Sequence, residues 1–291
     1  MLILGCGYIG QRVARHYRDQ GETVTGVVRS AGSVVRLADA GLVPLQLDLG
    51  LDPLSELPLA GNRVFHFAPP PATGGQDVHT RRLVAAFAQQ GAPARLVYIS
   101  TTGVYGNCEG AWVDEHWPVQ PQAERACRRW DAEQVLRAWS SEHQGELVIL
   151  RVAGIYGPGR LPLDRIRKGL PLLREEEAPY SNRIHADDLV RVCIAAMERG
   201  RHGAVYNVCD GHPSTMTDYF FRVADAAGLR RPPVIPLRDA EEALSPGMMS
   251  YLNESRRLSN RRIREELDVE LAFPTLEKGL PSCFRNDGLP L

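Results

Sequence analysis

The chain opens MLILGCGYIG, and no other stretch restricts its fold as tightly. Leu2, Ile3 and Leu4 run into Gly5, Gly7 and Gly10; Gln11 to Gln20 then carries the apolar spacing of a helix, stops at Gly21, and gives way to a second apolar run, Thr23 to Val28. Strand, glycine turn, helix and strand make a βαβ start. Each glycine has its own reason: Gly5 permits a sharp turn, Gly7 lets a ligand approach the backbone, and Gly10 lets the helix lie close on the strand. The helix then begins with unpaired N–H groups and a positive dipole end around Tyr8 and Ile9, which suits a dinucleotide pyrophosphate.

The alternation continues. A helix is predicted over Ser33 to Ala40, strands over Val43 to Leu47 and Arg63 to Phe67, a helix over Asp77 to Gln90, and a strand over Arg95 to Ser100. A polar loop, Asn107 to Gln122, leads to a helix over Ala123 to His143 and a strand over Glu146 to Leu150. Another strand and helix fall in Arg183 to Arg199, and a last strand is Ala204 to Val208. Strands separated by helices of this length predict an α/β fold, a Rossmann-type doubly wound parallel sheet. Proline-rich stretches after Arg151 predict a small C-terminal substrate lobe. The expected division is a dinucleotide-binding domain over 1–155, with 182–210 returning to it, and a smaller lobe from 156–181 and 211–291.

Charge excludes some partners. A net charge of -1 leaves no electrostatic footprint for nucleic acid or an anionic membrane. No run reaches the ~20 apolar residues of a membrane helix. The 6 cysteines are scattered without a CxxC pair or zinc-type spacing, so no metal site is expected and the thiols are read as reduced, in a cytoplasmic protein.

Four motifs in one order resemble the extended short-chain dehydrogenase/reductase family, in its NAD-dependent epimerase/dehydratase branch. They are GCGYIG at Gly5 to Gly10, VFHFAPP at Val64 to Pro70, YISTTGVYG at Tyr98 to Gly106, and LRVAGIYGPGR at Leu150 to Arg160 followed by NRIHADDL. The resemblance implies a cofactor cradle of Gly5, Gly7, Tyr8, Ile9 and Gly10, with Asp48 and Leu49 bordering the adenine and Phe67, Ala68 and Pro69 lying under the adenosine and pyrophosphate. It makes Thr101 the hydrogen-bonding partner of a reacting carbonyl or hydroxyl. Thr102, Tyr105, Tyr156 and Arg183 fall on the substrate side, with Tyr105 a substitute acid in one reading.

The sequence departs from the family where its proton relay should be. The family carries a tyrosine and, four residues on, a lysine; anchoring on Ala132, Glu133 and Gln134 puts Arg125 and Arg129 at those positions. No tyrosine lies between Tyr105 and Tyr156, and no lysine precedes Lys168. Arg129 retains donors for a ribose. Arg125 cannot exchange protons near neutral pH, because a guanidinium pKa exceeds about 12. The Asp-Glu pair of sugar-nucleotide dehydratases is also missing, with Thr102 and Gly103 in its place.

Arg29 and Ser30 end the second strand, where an acidic residue would accept bonds from the ribose 2'-OH of NAD. An arginine there instead suits the 2'-phosphate of NADP, with NAD the alternative. The expected function is an NADP-dependent oxidoreductase or epimerase on a sugar-like or other small carbonyl or alcohol substrate, acting as monomer or homodimer. A non-catalytic dinucleotide-binding sensor is the competing expectation.

Overall fold

A computed structural model describes residues 1–284; residues 285–291, the end of the expected C-terminal lobe, lie outside the described residues. The first half runs β1 (Leu2–Leu4), α1 (Tyr8–Asp19), β2 (Thr25–Val28), α2 (Ala31–Asp39), β3 (Val43–Gln46), β4 (Arg63–His66), α3 (Val78–Gln90) and β5 (Arg95–Thr101). Then come α4 (Glu124–His143), the strand Leu147–Val152, the helix Ala186–Arg199 and the strand Val205–Val208. The sheet has 7 strands, ordered Val205–Val208, Leu147–Val152, β5, β4, β1, β2, β3. All neighbours are parallel, with Ile3 opposite Gly26 on one side and Phe65 on the other.

Alternation along β1 explains the layers. Leu2 and Leu4 point to one face and Ile3 to the other, all three at 0% exposure, as a strand covered on both sides requires. Ile3 joins Val13 and Tyr17 of α1 with Leu189 and Val192 of the helix Ala186–Arg199. Leu2 and Leu4 join Leu83 of α3 and Leu136 and Trp139 of α4. A separate apolar cluster gathers Tyr156, Ile166, Leu172, Tyr219, Phe220, Val223, Leu276 and Leu280.

Two departures from the sequence reading have physical causes. The strand predicted to stop at Leu150 runs on to Val152, because the Arg151 guanidinium is buried against Glu133 of α4, with Nε to Oε1 at 3.1 Å. The strand expected at the start of Arg183 to Arg199 forms at Arg183–His185, but its partner Gly154–Tyr156 has no local pattern to mark it, nor have Trp112–Val113, inside the predicted polar loop, and Arg257–Leu258, which pair with each other. No helix of the described residues is long and apolar enough to cross a membrane. The order of strands reverses between β1 and β4, and at such a switch point a crevice opens beyond the carboxyl ends of the strands.

Candidate functional site

A cleft of about 1800 Å³ lies at that switch point. Gly5 turns the chain at φ +79°, and a Cβ there would stand 2.5 Å from the Ala68 nitrogen. Gly10 packs α1 onto β1, since a Cβ would lie 3.0 Å from the Gly5 carbonyl and 3.2 Å from Ile3 Cγ2. Gly7 differs from both: nothing lies within 4 Å of where its Cβ would be, so its open side is free for a ligand. It is also the N-cap of α1, whose first turn holds no acidic residue, so the helix presents N–H groups that no cap side chain takes up.

Arg29 and Ser30 line the cleft beyond β2, and α2 adds Ser33 and Arg36. Ser30 Oγ accepts from the Ser33 N–H at 3.3 Å and lies 2.9 Å from Ser33 Oγ, to which Arg36 donates at 2.7 Å. Positions 30, 33 and 36 recur every helical turn on one face, a signal that the sequence reading did not use. Leu49 lines the cleft near Asp48, whose Oδ1 is engaged by the Gly50 N–H at 2.8 Å. Phe67, Ala68 and Pro69 continue the lining past β4.

Arg129 reaches the cleft from α4. Its Nη1 donates to the carbonyl of Ile99 at 2.8 Å, the Tyr98 hydroxyl at 3.2 Å and the Ala68 carbonyl at 3.4 Å. Anchored through one nitrogen, the guanidinium has donors left on the other two. Every residue that the resemblance assigns to the cofactor thus lines one cleft. Its charged lining is six arginines, Arg12, Arg15, Arg29, Arg36, Arg129 and Arg160, against Asp48 and Asp187, a field suited to an anionic ligand.

Apart from Arg129, the residues expected on the catalytic and substrate side are not in that lining. Thr101 Oγ1 accepts from the Gly103 N–H at 3.2 Å, capping the turn Thr102–Tyr105. Thr102 is buried within that turn. Tyr105 is turned inward, its hydroxyl donating to Asn207 Oδ1 at 2.7 Å and its ring resting on Arg151; burial pushes its pKa up to about 12. Tyr156 is wholly buried in the Tyr219–Leu276 cluster, its hydroxyl 3.5 Å from the Thr275 carbonyl. Arg125 donates to Ser250 Oγ at 2.7 Å and stacks on Tyr251 at 3.9 Å. Arg183 stacks on Tyr219 at 4.1 Å, donates to the Asn182 carbonyl at 2.9 Å, and is held below the usual arginine range by burial. Long-range packing makes these contacts, and no motif foretells it.

A doubly wound sheet with a glycine turn, a bare helix N-terminus and an arginine-lined cleft at its switch point defines a dinucleotide-binding protein of the Rossmann class. The chain belongs to the NAD dependent epimerase/dehydratase family, whose model matches residues 1–209. Protein YeeZ of Escherichia coli K12 is 26% identical over 283 residues, 94% of this chain and 95% of that protein. Human dTDP-D-glucose 4,6-dehydratase is 25% identical over 140 residues, 45% of this chain and only 40% of the human protein. Among solved structures, a functionally unknown protein from Silicibacter pomeroyi DSS has a TM-score of 0.84 at 33% identity, covering 97% of this chain and 96% of that one. The UDP-glucose 4-epimerase of Thermotoga maritima, solved with UDP-glucose, shares the fold at TM-score 0.77 and 22% identity, with 97% of each chain covered.

Proposed function

We propose that this chain is an NADP-dependent oxidoreductase or epimerase acting on a sugar-like or other small carbonyl or alcohol substrate. One observation carries the reading: the cleft that takes the glycine turn ends on Arg29, Ser30, Ser33 and Arg36 rather than on a carboxylate. Two guanidiniums and two hydroxyls beside a helix start suit the 2'-phosphate that distinguishes NADP from NAD. The pyrophosphate lies on Gly7, Tyr8 and Ile9, the adenine beside Asp48 and Leu49, with Phe67, Ala68 and Pro69 under the adenosine and pyrophosphate and the nicotinamide ribose toward Arg129. When bound, the dinucleotide supplies or accepts a hydride at its nicotinamide.

The protein's own part is positioning. Thr101 accepts a backbone N–H and so keeps its hydroxyl proton for a substrate oxygen. Residues 156–181 and, of the described chain, 211–284 supply the substrate lobe, with Arg183 on its inner side. No tyrosine stands at the family's acid position, so the proton moves through water or a substrate group, and turnover is lower by about 10²-fold or more. The test is Arg29→Glu, alone and with Arg36→Glu: each change shifts the NADPH to NADH affinity ratio toward NADH, and an unchanged ratio sinks the NADP assignment. Restoring Arg125→Tyr and Arg129→Lys raises carbonyl turnover if the rest of the site is competent.

One observation favours a second reading, a non-catalytic dinucleotide-binding sensor. The hydroxyls of Tyr105 and Tyr156 are committed to Asn207 and Thr275, away from the cleft. NADPH that binds yet is oxidised by no carbonyl in a broad panel, with Thr101→Ala without effect, selects this reading.

A further inference from the structure

Residues from the end of the described chain reach into the cleft: Phe273, Ser282, Cys283 and Phe284 line it with Asp187 and Arg160. They lie beyond residues 1–209, the part that the family model matches, so their presence there is a property of this chain's C-terminal segment.

The seating of that segment is specific. Asp188, at 0% exposure in the first turn of the helix Ala186–Arg199, accepts the N–H groups of Ala272 at 2.9 Å and Phe273 at 2.8 Å. The Phe273 ring packs 4.0 Å from the ring of His185, which is likewise wholly buried. The Asp187 N–H donates to His185 Nδ1 at 3.2 Å, so the ring proton of neutral His185 sits on Nε2 and is given to Ser282 Oγ, 3.0 Å away. Ser282 passes its own proton to the Gly279 carbonyl at 2.7 Å.

These proton directions exclude a nucleophilic reading of Ser282, His185 and Asp187. A general base must accept the serine proton, whereas here the histidine donates to the serine and its other nitrogen is already filled. What the bonds do is hold the segment against the helix start. Beside it, Arg12 and Arg160 stack on Tyr8 at 3.9 and 4.5 Å, Tyr8 donates to the Pro158 carbonyl at 2.9 Å, and Arg12 lies 3.5 Å from Asp187. The segment therefore stands by Arg12 and Arg160, which stack on Tyr8 just past the glycine turn, whereas Arg29 and Arg36 line the cleft beyond β2.

We propose that residues 273–284 are a wall of the dinucleotide site, covering the pyrophosphate and the nicotinamide-side ribose so that binding buries Cys283. This rests on the dinucleotide reading above. Phe273, Phe284 and the Cys283 thiol give the wall an apolar surface that keeps water from the phosphates paired with Arg12 and Arg160, which strengthens those pairs. Cys283 serves as reporter: it is half-buried, its thiol bonded to the Gly279 carbonyl at 3.5 Å. Cys127, also half-buried but bonded to Pro121 and outside the cleft lining, is the internal control.

The experiment is alkylation by iodoacetamide, followed by peptide mass spectrometry on the whole protein, with and without saturating NADPH. The expected result is a rate at Cys283 slowed about tenfold or more with Cys127 unchanged. A Cys283→Trp variant, filling the same space, is expected to bind NADPH about tenfold more weakly. Should that variant fail to fold, the alkylation rates of the unmodified chain decide alone. Equal rates at Cys283 with NADPH demonstrably bound, as read from a raised melting temperature, overturn the wall and leave the dinucleotide reading standing. Absence of any melting shift with NADPH or NADH overturns both.

Discussion

Gly5, Gly7 and Gly10 share one motif but bear different loads, and substitution separates them. Gly5→Ala drives a Cβ to 2.5 Å from the Ala68 nitrogen at a φ of +79°, so overpacking and left-handed strain together cost about 2–5 kcal/mol. Gly7→Ala meets no atom within 4 Å and costs less than about 1 kcal/mol, yet it removes the space into which the pyrophosphate fits. Urea unfolding and NADPH titration of the two variants are expected to diverge: Gly5→Ala loses stability, Gly7→Ala loses affinity. Asp210, just past the strand Val205–Val208, shows a residue that no motif announces. It is 3% exposed; Oδ1 accepts the His212 N–H at 2.9 Å while Oδ2 has no partner, and burial pushes its pKa up to about 7 against the pull of His212 and Arg183. Its pKa is thus higher folded than unfolded. From about pH 4 to about pH 7 the unfolded chain ionises there while the native chain keeps its proton, so stability falls across that window by up to about 4 kcal/mol and is level above it. Asp210→Asn is expected to raise the urea midpoint at pH above this window and leave it nearly unchanged below; an equal effect at both ends refutes the assignment.

At the scale of elements, α4 ties the sheet to the cleft. On its inner side Glu133, at 0% exposure, accepts from Ser100 Oγ at 2.5 Å and from both Nε and Nη2 of Arg151 at 3.1 and 2.8 Å. One turn earlier Arg129 fastens the same helix to the ends of β4 and β5. Glu133→Gln leaves the Arg151 charge buried without its counter-charge and is expected to cost about 3–5 kcal/mol, read as a lowered urea midpoint. Replacing Arg151→Met in the same chain is expected to restore part of the loss, since no charge then remains unpaired. The strands and helices that bracket this network were legible because their apolar spacing is local: β1, α1, β2, α3 and β5 fall within a few residues of their predicted bounds. Arg128 shows where that reading ends. As half of an Arg-Arg pair it has the local look of a solvated residue, yet it is 6% exposed and donates to the Gly74 carbonyl at 2.7 Å, a contact 54 residues away in the chain. The inward turns of Tyr105 and Tyr156, and the arrival of residues 273–284 at the cleft, are of the same kind: partners far apart in sequence leave no periodic trace.

For the molecule as a whole, the cleft sits between elements whose stability the ligand should raise together. Its lining draws on the glycine turn after β1, α1, β2, α2, the chain just past β4, β5, α4, the loop Pro158–Arg160 and the C-terminal segment, so a dinucleotide bound there would touch nearly every layer of the fold. A ligand that binds only the native state adds RT ln(1 + [L]/Kd), about 2.7 kcal/mol at a hundredfold excess over Kd. For a chain of this size that corresponds to a melting shift of about 4–5 °C. On the proposed reading, in which Arg29 and Arg36 of the cleft lining meet the 2'-phosphate, NADPH is expected to give a larger shift than NADH at equal concentration. Arg29→Glu is expected to erase the difference without abolishing the shift from NADH, since the glycine turn and Arg129 act on the part that both molecules share. Differential scanning fluorimetry over a concentration series of both dinucleotides measures this directly: coincident curves in the unmodified chain mean that the arginines at the end of β2 and on α2 do not read the extra phosphate, whereas curves displaced by a constant factor in concentration give the free energy with which they do.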